Sequence, residues 1–173
     1  MIGVFRRRDR FAPPPSEFER QAIPVASVVL ASLTPLLPIV ATVPLLPPFG
    51  LLTLLAWRLL RSDLWPVWAA LPLGLFDDLL SGAPIGTAAA GWTLALLAIE
   101  VIDRRLVWRD HWQDWGIAIL LTVLVQLLAL GLSTIAGGAT SPLLLAPQFA
   151  IAALAFPFIT RICAGLDRAR FAR

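Results

Sequence analysis

Six apolar blocks alternate with short polar or charged segments along most of this chain. The blocks cover residues 23–43, a stretch that begins near 43 or 47 and ends at 60, and then 64–80, 85–102, 115–135 and 143–164. A helix of about 17–25 apolar residues is long enough to cross a bilayer. The pattern therefore predicts an all-α, polytopic transmembrane helix bundle of about six spans.

The first two blocks are the least well separated. Pro35 and Pro38 interrupt the first block, and proline kinks or ends a helix. Five spans is the alternative, with the first two blocks forming one span and a re-entrant piece. In either case we expect a polar tail at 1–22, the bundle at 23–164 and a short tail at 165–173.

Composition agrees with a chain embedded in the lipid bilayer. Hydrophobic residues make up 58% and charged residues 14%, and the mean hydropathy is +0.81. Soluble domains carry about 25% charged residues. The pI of about 10.9 would suit a nucleic-acid partner, but the arginines lie in short clusters between apolar blocks. We therefore expect no nucleic acid and read the clusters as a topology signal.

Charge placement predicts the orientation of the bundle. With the N-terminus inside, every arginine falls in a tail, in the connections near 61 and 105, or near the inner end of the last span, at 161. The outer connections at 41–48, 81–84 and 136–142 hold no arginine. Positive residues favour the cytoplasmic side, so we expect an even number of spans and both termini in the cytoplasm.

Few residues are suited to catalysis or metal binding. Cys163 and His111 are the only residues of their types, and no second thiol or imidazole stands at ligand spacing. The connections are too short to hold a folded catalytic domain. We expect no enzyme activity, no cofactor and no metal site, so function must come from the bundle or its surfaces.

Two adjacent carboxylates, Asp77 and Asp78, lie near the outer end of the third block. Ionisable residues within a membrane usually face a bundle interior or a partner. Gly74, Asp78 and Gly82 recur every four residues and share one helical face, where small residues let a neighbouring helix approach closely. Since they oppose the negative end of their own helix dipole, we expect these aspartates not to be caps. Asp78 should tie helix ends together or meet a partner's polar group, whereas Asp77 is as well explained by contact with headgroup water.

Pro84 and Gly86 follow this helix and predict a hairpin between the third and fourth spans, because proline stops a helix and glycine permits a tight return. Two amides, Gln126 and Gln148, lie within later spans, where an interhelical hydrogen bond is the expected role. The charges at 100, 103, 104 and 105 are expected to form a solvated cluster at the inner interface.

The segment Gly74–Gly86, with its order Gly-x-x-x-Asp-Leu-Leu-x-Gly-x-Pro-x-Gly, resembles the signature of the MreD family of bacterial rod-shape proteins. Pro47-Pro48-Phe49-Gly50 and Trp57-Arg58-Leu59-Leu60-Arg61 resemble earlier landmarks of that family, although Ser62 stands where the family more often has proline. The resemblance implies helix-packing or partner-binding roles for Gly74, Asp77, Asp78, Gly82, Pro84 and Gly86.

The same resemblance implies a component of the cell-wall elongation machinery in the bacterial inner membrane. Expected partners are MreC, the MreB cytoskeleton, the RodA glycosyltransferase and a class B penicillin-binding protein, besides the lipid bilayer. The family also resembles the substrate-binding subunits of energy-coupling-factor transporters at the level of fold, which gives an alternative function as a small-molecule-binding subunit. The outer connections offer few polar side chains for a ligand, and this favours the non-enzymatic scaffold.

Overall fold

The computed structural model describes residues 17–36, 46–105, 110–135 and 142–171. Six α-helices occur in this part of the chain, and it contains no β-strand, so the all-α prediction is confirmed there. The helices are α1 (Glu17–Ser32), α2 (Phe49–Leu60), α3 (Ala70–Ser81), α4 (Thr87–Arg105), α5 (His111–Ile135) and α6 (Ala146–Phe171). The N-terminal tail up to residue 16, the connection at 37–45 and most of the connection at 136–142 fall outside the described residues.

Helix α2 is the centre of the bundle. Its residues from Gly50 to Arg58 are all buried, and it packs against α1, α4, α5 and α6. A helix that is apolar on every side belongs in a protein interior. With 12 residues it is about 18 Å long, well short of a hydrocarbon core of about 30 Å. The second block was predicted to begin near 43 or 47, but the helix begins only after the two prolines at 47–48.

The limits of α3, α5 and α6 also differ from the predicted spans. Before α3, a 3-10 turn at Val67–Ala69 follows Pro66. The Pro66 carbonyl accepts a hydrogen bond from the Ala69 N–H at 2.9 Å. The α-helix therefore begins at 70 rather than at the predicted 64. Helix α5 begins four residues earlier than predicted, next to Asp110, whose Oδ1 accepts the His111 N–H at 2.8 Å. Helix α6 continues to residue 171, through most of the segment expected to be a tail.

Two helices, α5 and residues 146–169 of α6, are long and apolar enough to cross a membrane by themselves. The short α2 is apolar and is buried among the other helices. Length and apolar composition of single helices are weak evidence for a membrane protein. The count of six spans therefore stays a prediction at this point.

Two ion pairs define one end of the bundle. Arg58 is 5% exposed and its guanidinium lies 3.2 Å from Asp103 of α4. Arg61 lies 3.1 Å from Asp167 of α6. These contacts join the carboxyl ends of α2, α4 and α6, and we call this the arginine end. Asp103 was expected in a solvated cluster, and that is wrong because it is paired with a buried arginine.

The opposite end holds the connection between α3 and α4, and we call it the hairpin end. Gln148, near the start of α6, donates from Nε2 to the carbonyl oxygen of Leu46 at 2.7 Å. This hydrogen bond joins α6 to the segment that enters α2, which is the interhelical role expected of an intramembrane amide. The candidate site lies at this end.

Candidate functional site

Asp78 is the polar centre of the α3–α4 hairpin. Its side chain is 1% exposed, and its carboxylate accepts three backbone hydrogen bonds from the start of α4. Oδ1 accepts the Ala88 N–H at 2.8 Å, and Oδ2 accepts the N–H groups of Gly86 at 2.9 Å and Ala89 at 3.3 Å. The first N–H groups of a helix have no partner within that helix, and an anion there is also favoured by the helix dipole.

The expectation that these aspartates are not caps is therefore wrong for Asp78. It stands at the unfavourable end of its own helix, but it caps the next helix, across the hairpin. The first turn of α4 offers no substitute, because the hydroxyl of Thr87 donates to the Pro84 carbonyl at 2.7 Å instead of accepting from the helix. Asp78 thus holds the end of α3 against the start of α4, and its carboxylate is satisfied within the chain.

Gly74 lets the two helices approach. A Cβ atom built on it would lie 2.6 Å from the Ala89 Cα, 2.7 Å from the Ala89 nitrogen and 2.8 Å from the Ala88 carbonyl carbon. These are backbone atoms, so any side chain at 74 would push α4 away from α3. The close approach is what brings the α4 amides within reach of Asp78, one turn further along α3.

The remaining motif residues shape the turn. Gly82 has φ +67° and Gly86 has φ +97°, which are backbone conformations that glycine adopts without strain. A Cβ on Gly82 would have no neighbour within 4 Å, so this glycine allows the chain to turn and does not pack against another helix. The Pro84 carbonyl accepts the Thr87 N–H at 3.1 Å and closes the turn into α4.

Asp77 points to a different part of the bundle. The Ser32 hydroxyl of α1 lies beside its carboxylate, at a geometry short of a regular hydrogen bond. Both side chains meet at Gly50, where an added Cβ would collide with Ser32 Oγ and lie 3.0 Å from Asp77 Oδ1 and from Trp92 Cη2. Gly50 is thus needed where α1, α2, α3 and α4 converge.

A cavity of about 610 Å³ opens beside Asp77 at the hairpin end. Its walls come from all six helices and from Leu46–Pro48, and they are mostly apolar. The polar side chains on its lining are Thr34, Asp77, Asp78, Ser81, Thr87, Gln126 and Gln148. The outer connections by themselves offered few polar groups for a ligand, but the helix ends supply them, and sequence reasoning missed this pocket.

Gln126 and Gln148 both face this cavity. Gln148 is 7% exposed and its Oε1 accepts no hydrogen bond within the described part of the chain. Gln126 was expected to bond another helix, and no such bond occurs among those residues. A signal was present in the sequence, since an amide within an apolar block is unusual, but nothing in the sequence showed that both amides line the same cavity as Asp77.

The site can hold helix ends together and can present acceptors to a small ligand. Among the described residues no group of three or more His, Cys, Asp or Glu side chains is placed to hold a metal ion. Cys163 is 1% exposed and lies in the core, far along α6 from the hairpin end.

Comparison with protein families adds a direct finding. The sequence profile of the family described as rod shape-determining protein MreD matches residues 21–162, which is most of the chain. Comparisons with curated proteins and with solved structures gave no match. The matched region includes all of α2 to α5 and the whole α3–α4 hairpin. The chain therefore belongs to the MreD family of rod shape-determining membrane proteins.

Proposed function

We propose that this chain is a multi-pass inner-membrane component of the cell-wall elongation machinery, with six spans and both termini in the cytoplasm. The observation that carries the proposal is the family match over residues 21–162. The ion pairs support the orientation, because they gather the carboxyl ends of α2, α4 and α6 at the arginine end, which the positive-inside rule assigns to the cytoplasm. A periplasmic reporter signal from a fusion after residue 173 would contradict it.

The role we propose is non-enzymatic. The chain binds MreC within the membrane and so helps to position the peptidoglycan synthases, RodA and a class B penicillin-binding protein, together with MreB. Short connections at the hairpin end leave little surface for docking a folded domain, so a partner helix must pack along the bundle. Such packing relies on van der Waals contact and a few polar contacts, each about 1 kcal/mol or less.

A groove between α3 and α4 is the surface we propose for that partner helix. It has a volume of about 410 Å³ and is lined by Leu71, Ala89, Ala90, Thr93 and Leu94. Small residues allow the backbones of two helices to come close in a membrane, where no hydrophobic force drives them together. The close approach of α3 and α4 at Gly74 gives the groove its shape.

Recovery of partners from gently solubilised membranes tests the function. Our proposal predicts that MreC is recovered with the tagged chain and that depletion of the chain makes rod-shaped cells round. The alternative of a transporter subunit, which the cavity at the hairpin end favours, predicts recovery of an ATPase module instead. Cells that stay rod-shaped after depletion of the chain would refute the scaffold role.

The groove has a test of its own. Ala90→Trp should fill it and reduce MreC recovery by roughly tenfold, since a loss of about 1.4 kcal/mol in binding corresponds to that factor. Leu124→Trp is the matched control, because Leu124 is 52% exposed on α5, away from the groove. Equal recovery from the two variants would place the partner elsewhere on the bundle.

A further inference from the structure

The described lining of the cavity at the hairpin end includes a carboxylate, Asp77, and no basic side chain. Asp77 is half-buried and lines the cavity, and the arginines of the described ion pairs, Arg58, Arg61 and Arg104, are paired with other carboxylates. Asp78 also lines the cavity, but three backbone N–H groups satisfy its carboxylate. A carboxylate removed from water is costly unless a positive charge or hydrogen-bond donors compensate it. Among the described residues, the side-chain donor beside the Asp77 carboxylate is the Ser32 hydroxyl.

A second polar group on the same cavity is the amide of Gln148. It donates to the Leu46 carbonyl, and its Oε1 accepts no hydrogen bond among the described residues. Buried polar atoms are nearly always hydrogen-bonded in folded proteins. The Asp77 carboxylate of α3 and the Gln148 amide of α6 therefore border one space, and Gln126 of α5 adds an amide that can donate or accept.

We propose that this cavity binds a primary ammonium group, carried either by a small free amine or by the headgroup of an aminolipid. An ammonium brings one positive charge and three donors, which match the charge of Asp77 and the acceptor of Gln148. The apolar walls, among them Pro47, Phe49 and Val125, receive the carbon chain that bears the ammonium. The volume of about 610 Å³ falls within the range of small-molecule sites, about 300–1,000 Å³.

Thermal unfolding of the purified full chain in detergent tests the proposal. The probes are a short-chain phosphatidylethanolamine, the matching phosphatidylglycerol and free ethanolamine. The phosphatidylglycerol has the same acyl chains and phosphate but no ammonium. A ligand that binds only the folded state raises Tm, here by roughly 5–10 °C at a hundredfold excess over its Kd. We expect this rise with phosphatidylethanolamine and no comparable rise with phosphatidylglycerol.

Three variants assign the effect to the cavity. Asp77→Asn removes the charge with little change in shape and should abolish the rise. Ala129→Phe keeps the carboxylate but fills the cavity, which Ala129 lines, and should abolish it as well. Glu100→Gln removes a carboxylate at the arginine end, where Glu100 pairs with Arg104, and should leave the rise unchanged.

The outcomes separate the sources of the ammonium. If phosphatidylethanolamine raises Tm and ethanolamine does not, the site binds a lipid headgroup. If ethanolamine raises Tm as well, the site binds a free amine. The proposal is overturned if neither compound raises Tm, if phosphatidylglycerol raises it equally, or if Asp77→Asn or Ala129→Phe retains the rise.

Discussion

Replacement of Asp78 by alanine tests the physical basis of the α3–α4 hairpin. The substitution removes one carboxylate and leaves the N–H groups of Gly86, Ala88 and Ala89 without their acceptor. Ala89 is 8% exposed, so water cannot readily take the place of the carboxylate there. Gly86 is half-buried in the turn, and its N–H is the easiest of the three to hydrate.

The magnitude follows from the hydrogen-bond geometry. The bonds at 2.8 and 2.9 Å are short, as expected for a charged acceptor, and the bond at 3.3 Å is weaker. A hydrogen bond to a charged group contributes about 1.5–3 kcal/mol, so the alanine variant should lose about 3–5 kcal/mol of unfolding free energy. For a chain of this size that corresponds to a drop in Tm of roughly 6–20 °C. Asp78→Asn keeps one oxygen acceptor of the two and should lose about half as much.

The assay is thermal unfolding in detergent, followed by MreC recovery normalised to the amount of folded protein. The structure predicts lower Tm and lower abundance with unchanged recovery per folded molecule, because the carboxylate acts within the chain. Asp77→Asn is the matched control and should change Tm far less. A Tm within about 1 °C of the parent protein would refute the cap, and lower MreC recovery at unchanged Tm would instead assign Asp78 to the partner interface.

Two further substitutions test the packing. Gly74→Leu should destabilise the bundle by about 3 kcal/mol or prevent its assembly, since the new side chain meets the α4 backbone. Leu75→Ala, at an exposed position, should change the unfolding free energy by less than about 1 kcal/mol. Equal effects would refute the close approach of α3 and α4. Arg58→Met should cost about 3 kcal/mol because it removes a buried guanidinium that contacts Asp103 and donates to the Ser62 carbonyl. Arg104→Met at an exposed pair should cost about 1 kcal/mol or less. Chemical unfolding of each variant measures both comparisons, and an Arg58→Met variant as stable as Arg104→Met would show that the buried pair is dispensable.

Hydrophobic blocks predicted the helices but not the environment of each helix. The block that became α4 matched closely, because Gly86 and the charged residues after Ile102 mark its two ends in the sequence. The block that became α2 predicts a short span that begins near 43 or 47, and the structure shows a helix of 12 residues, Phe49–Leu60, buried at the centre of the bundle. A continuous apolar run looks the same whether lipid or protein surrounds it, so periodicity does not distinguish the two.

Residues in the Gly74–Gly86 motif could be singled out from the sequence, but their individual roles depend on three-dimensional contacts. The cap of α4 by Asp78 spans eight to eleven residues across a turn, beyond the reach of local capping patterns. The pairing of Arg61 with Asp167 spans 106 residues, and the meeting of Asp77, Gln126 and Gln148 around one cavity involves three helices. Such contacts are set by packing, which one sequence does not reveal.

Site-specific crosslinking in living cells tests most directly whether this chain binds MreC through the α3–α4 groove. Cys163 is the chain's only cysteine and is 1% exposed, so a cysteine introduced at residue 90 is the reactive one and can carry a maleimide benzophenone. We expect a light-dependent adduct with MreC from position 90 and none from the same label at Leu124 on α5. An MreC adduct from position 124 but not from 90, or no MreC adduct from either, would contradict it.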